Sequence, residues 1–476
     1  MELFNSKQFS TAKLFLLSGI LLLSAGMIFG LMGGLPYIIP GLMKEKLSFE
    51  KMRPLHVSSV VFWILFSAIG GVVTYLQQHT GKQLFSGLLL KLQLMLFGFT
   101  VIAIFISYFT GNFGGREYWE FPPVLAIPIA IGWLLFLVNF LRSVVSFRNQ
   151  PVYVWMWTTG VISFLFTYLE SYLWMFPYFR NNIVNDMTIQ WKSYGSMVGS
   201  WNMLIYGCSL FLMDKISGSK HYSRSPIAFA LYFLGLFNLM FNWGHHIYTL
   251  PTAPFIKHIS YLVSMTELLI LGRIIYKWRS SVSEIRRYYN QTAYRFLVAA
   301  DVWIFLNLGL AIAMSVPAIN VYTHGTHITV AHAMGTTIGI NTFLLIAIAY
   351  DVLKESCRSF TPHEKLLNRG YWLANSSLLV FWISLIICGV LKARWQMSAS
   401  QIPFSVMMQQ LRPFFVAFVI SGSLLMCGLM MIVYPLARIQ LMCWFNGFPK
   451  TFFRFDLRYI KNQINPKRAT ESPAIK

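Results

Sequence analysis

The sequence predicts an all-α polytopic membrane protein with twelve transmembrane helices, and three observations predict it. Of its 476 residues 56% are hydrophobic and only 11% charged, more apolar surface than a soluble domain of this length needs. Apolar runs of about 18 residues or more, long enough to cross a bilayer, recur along the whole chain. No polar stretch between them is long enough to fold separately. The chain therefore divides into one transmembrane domain, 1–440, and a basic tail, 441–476.

In order, the spans are expected near 13–38, 56–76, 84–109, 123–143, 154–176, 189–213, 225–249, 256–276, 294–316, 322–350, 370–391 and 409–435. The first is too long for a signal-peptide core and no small-residue cleavage site follows it, so it is expected to stay in the membrane. The second opens on Arg53-Pro54-Leu55-His56, and the loop after the third carries Gly114-Gly115-Arg116-Glu117-Tyr118. The seventh ends on Gly244-His245-His246, the eighth carries Glu267, and Arg286–Arg287 follow it. The tenth opens on Thr323-His324-Gly325-Thr326-His327-Ile328-Thr329-Val330-Ala331-His332-Ala333-Met334.

An even helix count puts both termini on one side. Lys and Arg number 26 in the N-terminal segment, the even-to-odd loops and the tail, against 11 on the other side. The positive-inside rule makes the basic side cytoplasmic. The same short basic loops account for the net charge of +22, as topology signals and attraction to anionic lipid, so nucleic acid is not expected as a partner. Five cysteines, at 208, 357, 388, 427 and 443, form no C-x-x-C and no haem-attachment motif. Four of them lie in or beside apolar spans and read as small buried hydrophobes.

Seven of the ten histidines fall in the outer half under this topology; only His79, His221 and His363 do not. Ionisable groups are costly in hydrocarbon and usually mark function there, and neutral imidazole is the commonest nitrogen ligand for transition metals. A lone membrane histidine is more often a helix-packing residue. An adjacent pair, His245–His246, with His56 and His332 at the same depth points instead to metal. His324 and His327, at a helix entrance, suit capping, and His258 suits the interface. Residues 332 and 334 diverge by about 200° on a helix, so ligands at both would serve two different groups.

These residues resemble the catalytic subunit of bacterial nitric oxide reductases, within the haem–copper oxidase superfamily. The histidine run 324–332, the segment Arg53–His56, Gly244–Tyr248 and the 114–118 loop carry the resemblance, which covers residues 10–435. It implies the subunit I-like fold and three redox groups. His56 matches an axial ligand of a low-spin haem b, and Arg53 an arginine that pairs with its propionates. His332 matches the ligand of a high-spin haem b, and His245 and His246 two ligands of a non-haem metal, iron rather than copper. Glu267 sits where the reductases keep an acidic residue, and Glu117 or Glu120 could help hold a calcium between propionates.

The chain departs from that pattern on helix six. Tyr194, Val198 and Asn202 stand where the reductases carry a third metal-ligating histidine and two glutamates, and Met334 replaces the second low-spin histidine. His/Met ligation raises a haem's potential. The metal shell would need Tyr194, Glu267, Glu170 or water. The implied activity is reduction of NO to N2O in the bacterial inner membrane, both termini cytoplasmic, with a c-type cytochrome or quinol as electron donor. Reduction of O2, dismutation of NO, or a non-catalytic haem sensor or relay are the alternatives; a transporter is disfavoured by the lack of inverted repeats.

Overall fold

The computed structural model describes residues 7–42, 44–220, 222–266, 291–356, 363–398 and 402–446. Among these residues eleven helices are long and apolar enough to cross a bilayer. In chain order the helices are α1 (Lys7–Gly34), α2 (Phe49–Thr80), α3 (Gly87–Phe109), α4 (Ala126–Ser143), α5 (Val152–Glu170), α6 (Ile183–Ser217) and α7 (Pro226–Phe241). Then come α8 (254–266), α9 (Gln291–Ser315), α10 (His327–Ser356), α11 (Glu364–Met397) and α12 (Phe404–Asn446). Eleven of the twelve expected spans are thus found. The eighth is helical over 254–266, and its remainder, with Glu267, lies outside the described residues, as does the tail from 447.

Local chemistry sets the starts. The side chains of Ser86, Asn182, Ser225 and Thr326 accept backbone N–H bonds at the openings of α3, α6, α7 and α10, satisfying donors that a helix leaves unpaired. Helices α2 and α6 run several residues past their expected ends of 56–76 and 189–213. Apolarity marks only the part in hydrocarbon, whereas the polar ends stay helical beyond it. His56 therefore lies two turns inside α2 instead of at its opening.

Helices α2 and α10 form the centre, burying 89% and 83% of their most apolar stretches against 33% for α3. Phe99, Ile102 and Ile106 of α3 face outward, as lipid-facing side chains do. At one end of the bundle Lys215 of α6 pairs with Asp351 and Glu355 of α10, each at 2.6 Å. Tyr75 of α2 donates to Asp351 at 3.0 Å, and Gln78 to Glu355 at 2.9 Å. Midway along α10, Gly335–Thr342 is a π-helix, where the Thr342 hydroxyl donates to the Thr337 carbonyl at 2.8 Å. Trp63 of α2 donates to the Thr342 hydroxyl at 3.1 Å. Such segments inside α-helices recur at functional sites.

Candidate metal centre

At the other end of the bundle His56 presses against α1. Its Nδ1 is 2.7 Å from the Gly26 carbonyl, and a carbonyl only accepts, so Nδ1 carries the proton and Nε2 keeps a lone pair. The ring fills a notch that only glycine leaves open: a Cβ at Gly30 would lie 2.6 Å from Nδ1. Gly30→Ala is expected to push the imidazole out of the notch at an overpacking cost of about 1–3 kcal/mol. The affinity of His56 for any group that it ligates should fall about 5- to 150-fold, read as the loss of low-spin haem absorbance.

The histidine pair closes α7. Residues Asn242–Ile247 tighten into a 3-10 turn, and the His245 and His246 rings stand 4.2 Å apart, tilted by 38°. Asn242 Oδ1 accepts from His245 Nδ1 at 3.2 Å and from the Ser264 hydroxyl of α8 at 2.6 Å. That fixes the His245 tautomer and leaves its Nε2 free, an arrangement typical of metal-binding imidazoles. His246 stacks on Trp191 of α6, centroids 4.4 Å apart and planes within 5°. The His324 ring lies 5.6 Å from His246.

His332 lies within electrostatic reach of both His245 and His246. Asn307 of α9 anchors its backbone, donating to the His332 carbonyl at 3.1 Å and to Thr336 at 2.7 Å. His56 and His332 are each half-buried in the bundle. Four buried imidazole nitrogens lack a hydrogen-bond partner among the described residues: Nδ1 of His246, Nε2 of His324, Nδ1 of His327 and Nδ1 of His332. Orphaned buried polar groups are costly, and a set of free imidazole nitrogens suits haem or metal ligation. Met334, on α10 two residues further, packs half-buried against the main core.

Helix α6 carries Tyr194, Val198 and Asn202 in three different settings. Tyr194 meets Tyr118 edge-on at 5.3 Å, Val198 joins the core, and Asn202 accepts from Asn341 at 3.0 Å. The α6 ring that touches the histidine pair is Trp191. Glu170 is paired with Lys192. Among the described residues no three His, Cys, Asp or Glu side chains converge as a metal cluster. Sequence reasoning missed Trp191, Asn242 and the inward placement of His324. Asn242, one turn before His245, was the one with a readable signal. Thr326 rather than His324 or His327 caps α10.

Arg53, one turn before His56, is gripped by Glu117 at 2.5 Å and Glu120 at 2.7 Å. The second oxygen of Glu120 is buried without a hydrogen-bond partner among the described residues. Burial pushes the Glu120 carboxyl up from its ordinary range, against the pull of Arg53.

Residues 10–424 match the family described as Cytochrome C and Quinol oxidase polypeptide I. The chain is 21% identical over 449 residues to a nitric oxide reductase subunit of Stutzerimonas stutzeri, covering 89% of this chain and 94% of that one. It is 23% identical over 434 residues to a cytochrome c oxidase subunit 1 homolog of Agrobacterium tumefaciens, covering 86% and 79%. A cryo-EM structure of a heme-copper terminal oxidase dimer shares its fold with a TM-score of 0.71 at 16% identity, covering 90% of this chain and 84% of that one.

Proposed function

Because the chain belongs to the cytochrome c and quinol oxidase polypeptide I family, we propose that it is a membrane haem oxidoreductase that reduces NO to N2O. The observation that carries this reading is the gathering of His245, His246 and His332 at one end of the bundle, with buried nitrogens left unpaired. His56 and Met334 would hold a low-spin haem b, His332 a high-spin haem b, and His245 and His246 a second metal. When bound, these groups supply electrons and two neighbouring sites for gas.

The reaction joins two NO, two electrons and two protons into N2O and water. One N–N bond forms and one N–O bond breaks. The protein's own part is positioning and proton handling. Asn242 and Asn307 hold the His245 ring and the His332 backbone in place. The Trp191 face closes one side of His246 against water. Glu120, with a raised affinity for protons and one free oxygen, lies at the same end and can carry a proton there. That end is taken as the outer side, with both termini cytoplasmic in a bacterial inner membrane, and the electrons as coming from a c-type cytochrome or quinol. Glu117 and Glu120 would be the residues to hold a calcium, and their oxygens are the ones Arg53 engages.

The test is anaerobic turnover of NO with a reduced mediator. One N2O per two NO supports the reading; water from O2, or N2 with O2, assigns the site to oxygen reduction or NO dismutation. One observation favours a non-catalytic haem sensor or relay: Tyr194 meets Tyr118 edge-on, and among the described residues no three His, Cys, Asp or Glu side chains gather at the pair. Full haem content with no gas turnover would select it.

Met334→His is expected to lower the low-spin haem's midpoint potential, because thioether is the poorer donor to ferric iron. Redox titration checks it, and an unchanged potential would remove Met334 from the site.

A further inference from the structure

At the end of the bundle opposite these histidines, a partly open cavity of about 260 Å³ lies between the end of α2, the chain after α4 and the start of α5. At ~30 Å³ per water it has room for about nine waters. Leu76, Val144, Val145 and Val154 make its apolar wall, and His79, Gln150 and Lys82 its polar rim.

The rim's hydrogen bonds decide what it can bind. The Gln150 amide nitrogen donates to the Ser146 carbonyl at 2.7 Å, which turns its oxygen toward His79 Nε2 at 2.8 Å. Nε2 therefore carries the proton, and Nδ1 accepts from the Tyr153 hydroxyl at 2.9 Å. His79 is neutral and fully engaged. Lys82 joins none of the ion pairs found among the described residues. Lys220 and Arg224 add positive charge within electrostatic reach of His79. The opposing Asp214 is buried and bonded to the Ser223 hydroxyl and N–H.

An apolar wall under a cationic rim, at the boundary of the lipid-facing bundle, fits an amphiphile with a negative head. We propose that this cavity binds the phosphate-bearing headgroup of an anionic phospholipid, with Lys82 on the phosphate. Basic pockets between helices on the charged side of a membrane protein recognise such headgroups. Free phosphate shares the Lys82 chemistry but makes no use of the valine wall.

Native mass spectrometry of the full-length protein in detergent tests this, with dioleoylphosphatidylglycerol and dioleoylphosphatidylcholine as probes and haem content as the check on folding. One phosphatidylglycerol should be retained in preference to phosphatidylcholine. Lys82→Gln should cut its retention about fivefold, matching ~1 kcal/mol for one lysine near an anionic surface. Lys82→Arg should restore it, and Val145→Trp, which fills the cavity, should cut it with Lys82 intact. Equal retention of the two lipids, or undiminished retention in Lys82→Gln and Val145→Trp, would overturn the assignment. So would displacement of the lipid by millimolar inorganic phosphate, which would make the site one for a soluble anion.

Discussion

His332→Ala is expected to abolish the CO-difference spectrum while leaving the low-spin haem bands in place. The reason is positional. His332 sits just before the π segment, its backbone tied to Asn307, with a buried, unpaired ring nitrogen and within electrostatic reach of His245 and His246. His56, by contrast, is held from α1 through Gly26, so removing one imidazole should not disturb the other. Haem per chain should fall from two to one. Wild-type protein with a single haem would end the two-haem architecture, whatever the variant does.

Replacing both His245 and His246 by alanine should strip the second metal with both haems retained. Lewis-acid assistance from a bound metal is worth several kcal/mol, and each 1.4 kcal/mol is about tenfold in rate, so N2O formation should drop by roughly 10³-fold. Metal analysis beside haem quantification checks the first part, and product detection the second. Asn242→Ala probes the same centre more gently. Losing a partner that orients a ligating histidine weakens metal binding about 10- to 100-fold, so this variant should lose its metal to a mild chelator that leaves the wild type loaded. Equal metal retention in all three proteins would place the metal elsewhere.

The spans and the histidine-rich end were legible because hydrocarbon imposes a single rule, continuous apolarity over a bilayer's width, and exceptions to it stand out. His56, His245, His246 and His332 were readable as such exceptions. What surrounds them was not. Trp191 is one of 15 tryptophans, and nothing in its neighbours says that it stacks on His246 while Tyr194, three residues on, turns to Tyr118. Which face of α6 meets α7 depends on packing among all the helices, and a nearly uniform apolar pattern carries little phase information. The carboxylate grip on Arg53 was likewise hidden, since its partners lie 64 and 67 residues away in a loop.

The π segment of α10 acts as a phase adjuster between two fixed points. One extra residue in a helix advances everything beyond it by about 100°. Before the segment, the chain must aim His332 toward the histidine pair; after it, Asp351 must meet Lys215 and Tyr75 at the far end. An unbroken α-helix cannot hold both aims at this spacing. Deleting a single residue such as Ile338, on the same segment, should close it into a regular α-helix with both aims kept, whereas adding a residue would force a choice: keep the imidazole aimed and lose the lysine–carboxylate lock, or the reverse. Insertions in this stretch should therefore be far less tolerated than substitutions or a single deletion, since they alter the angular relation between the two ends of the molecule.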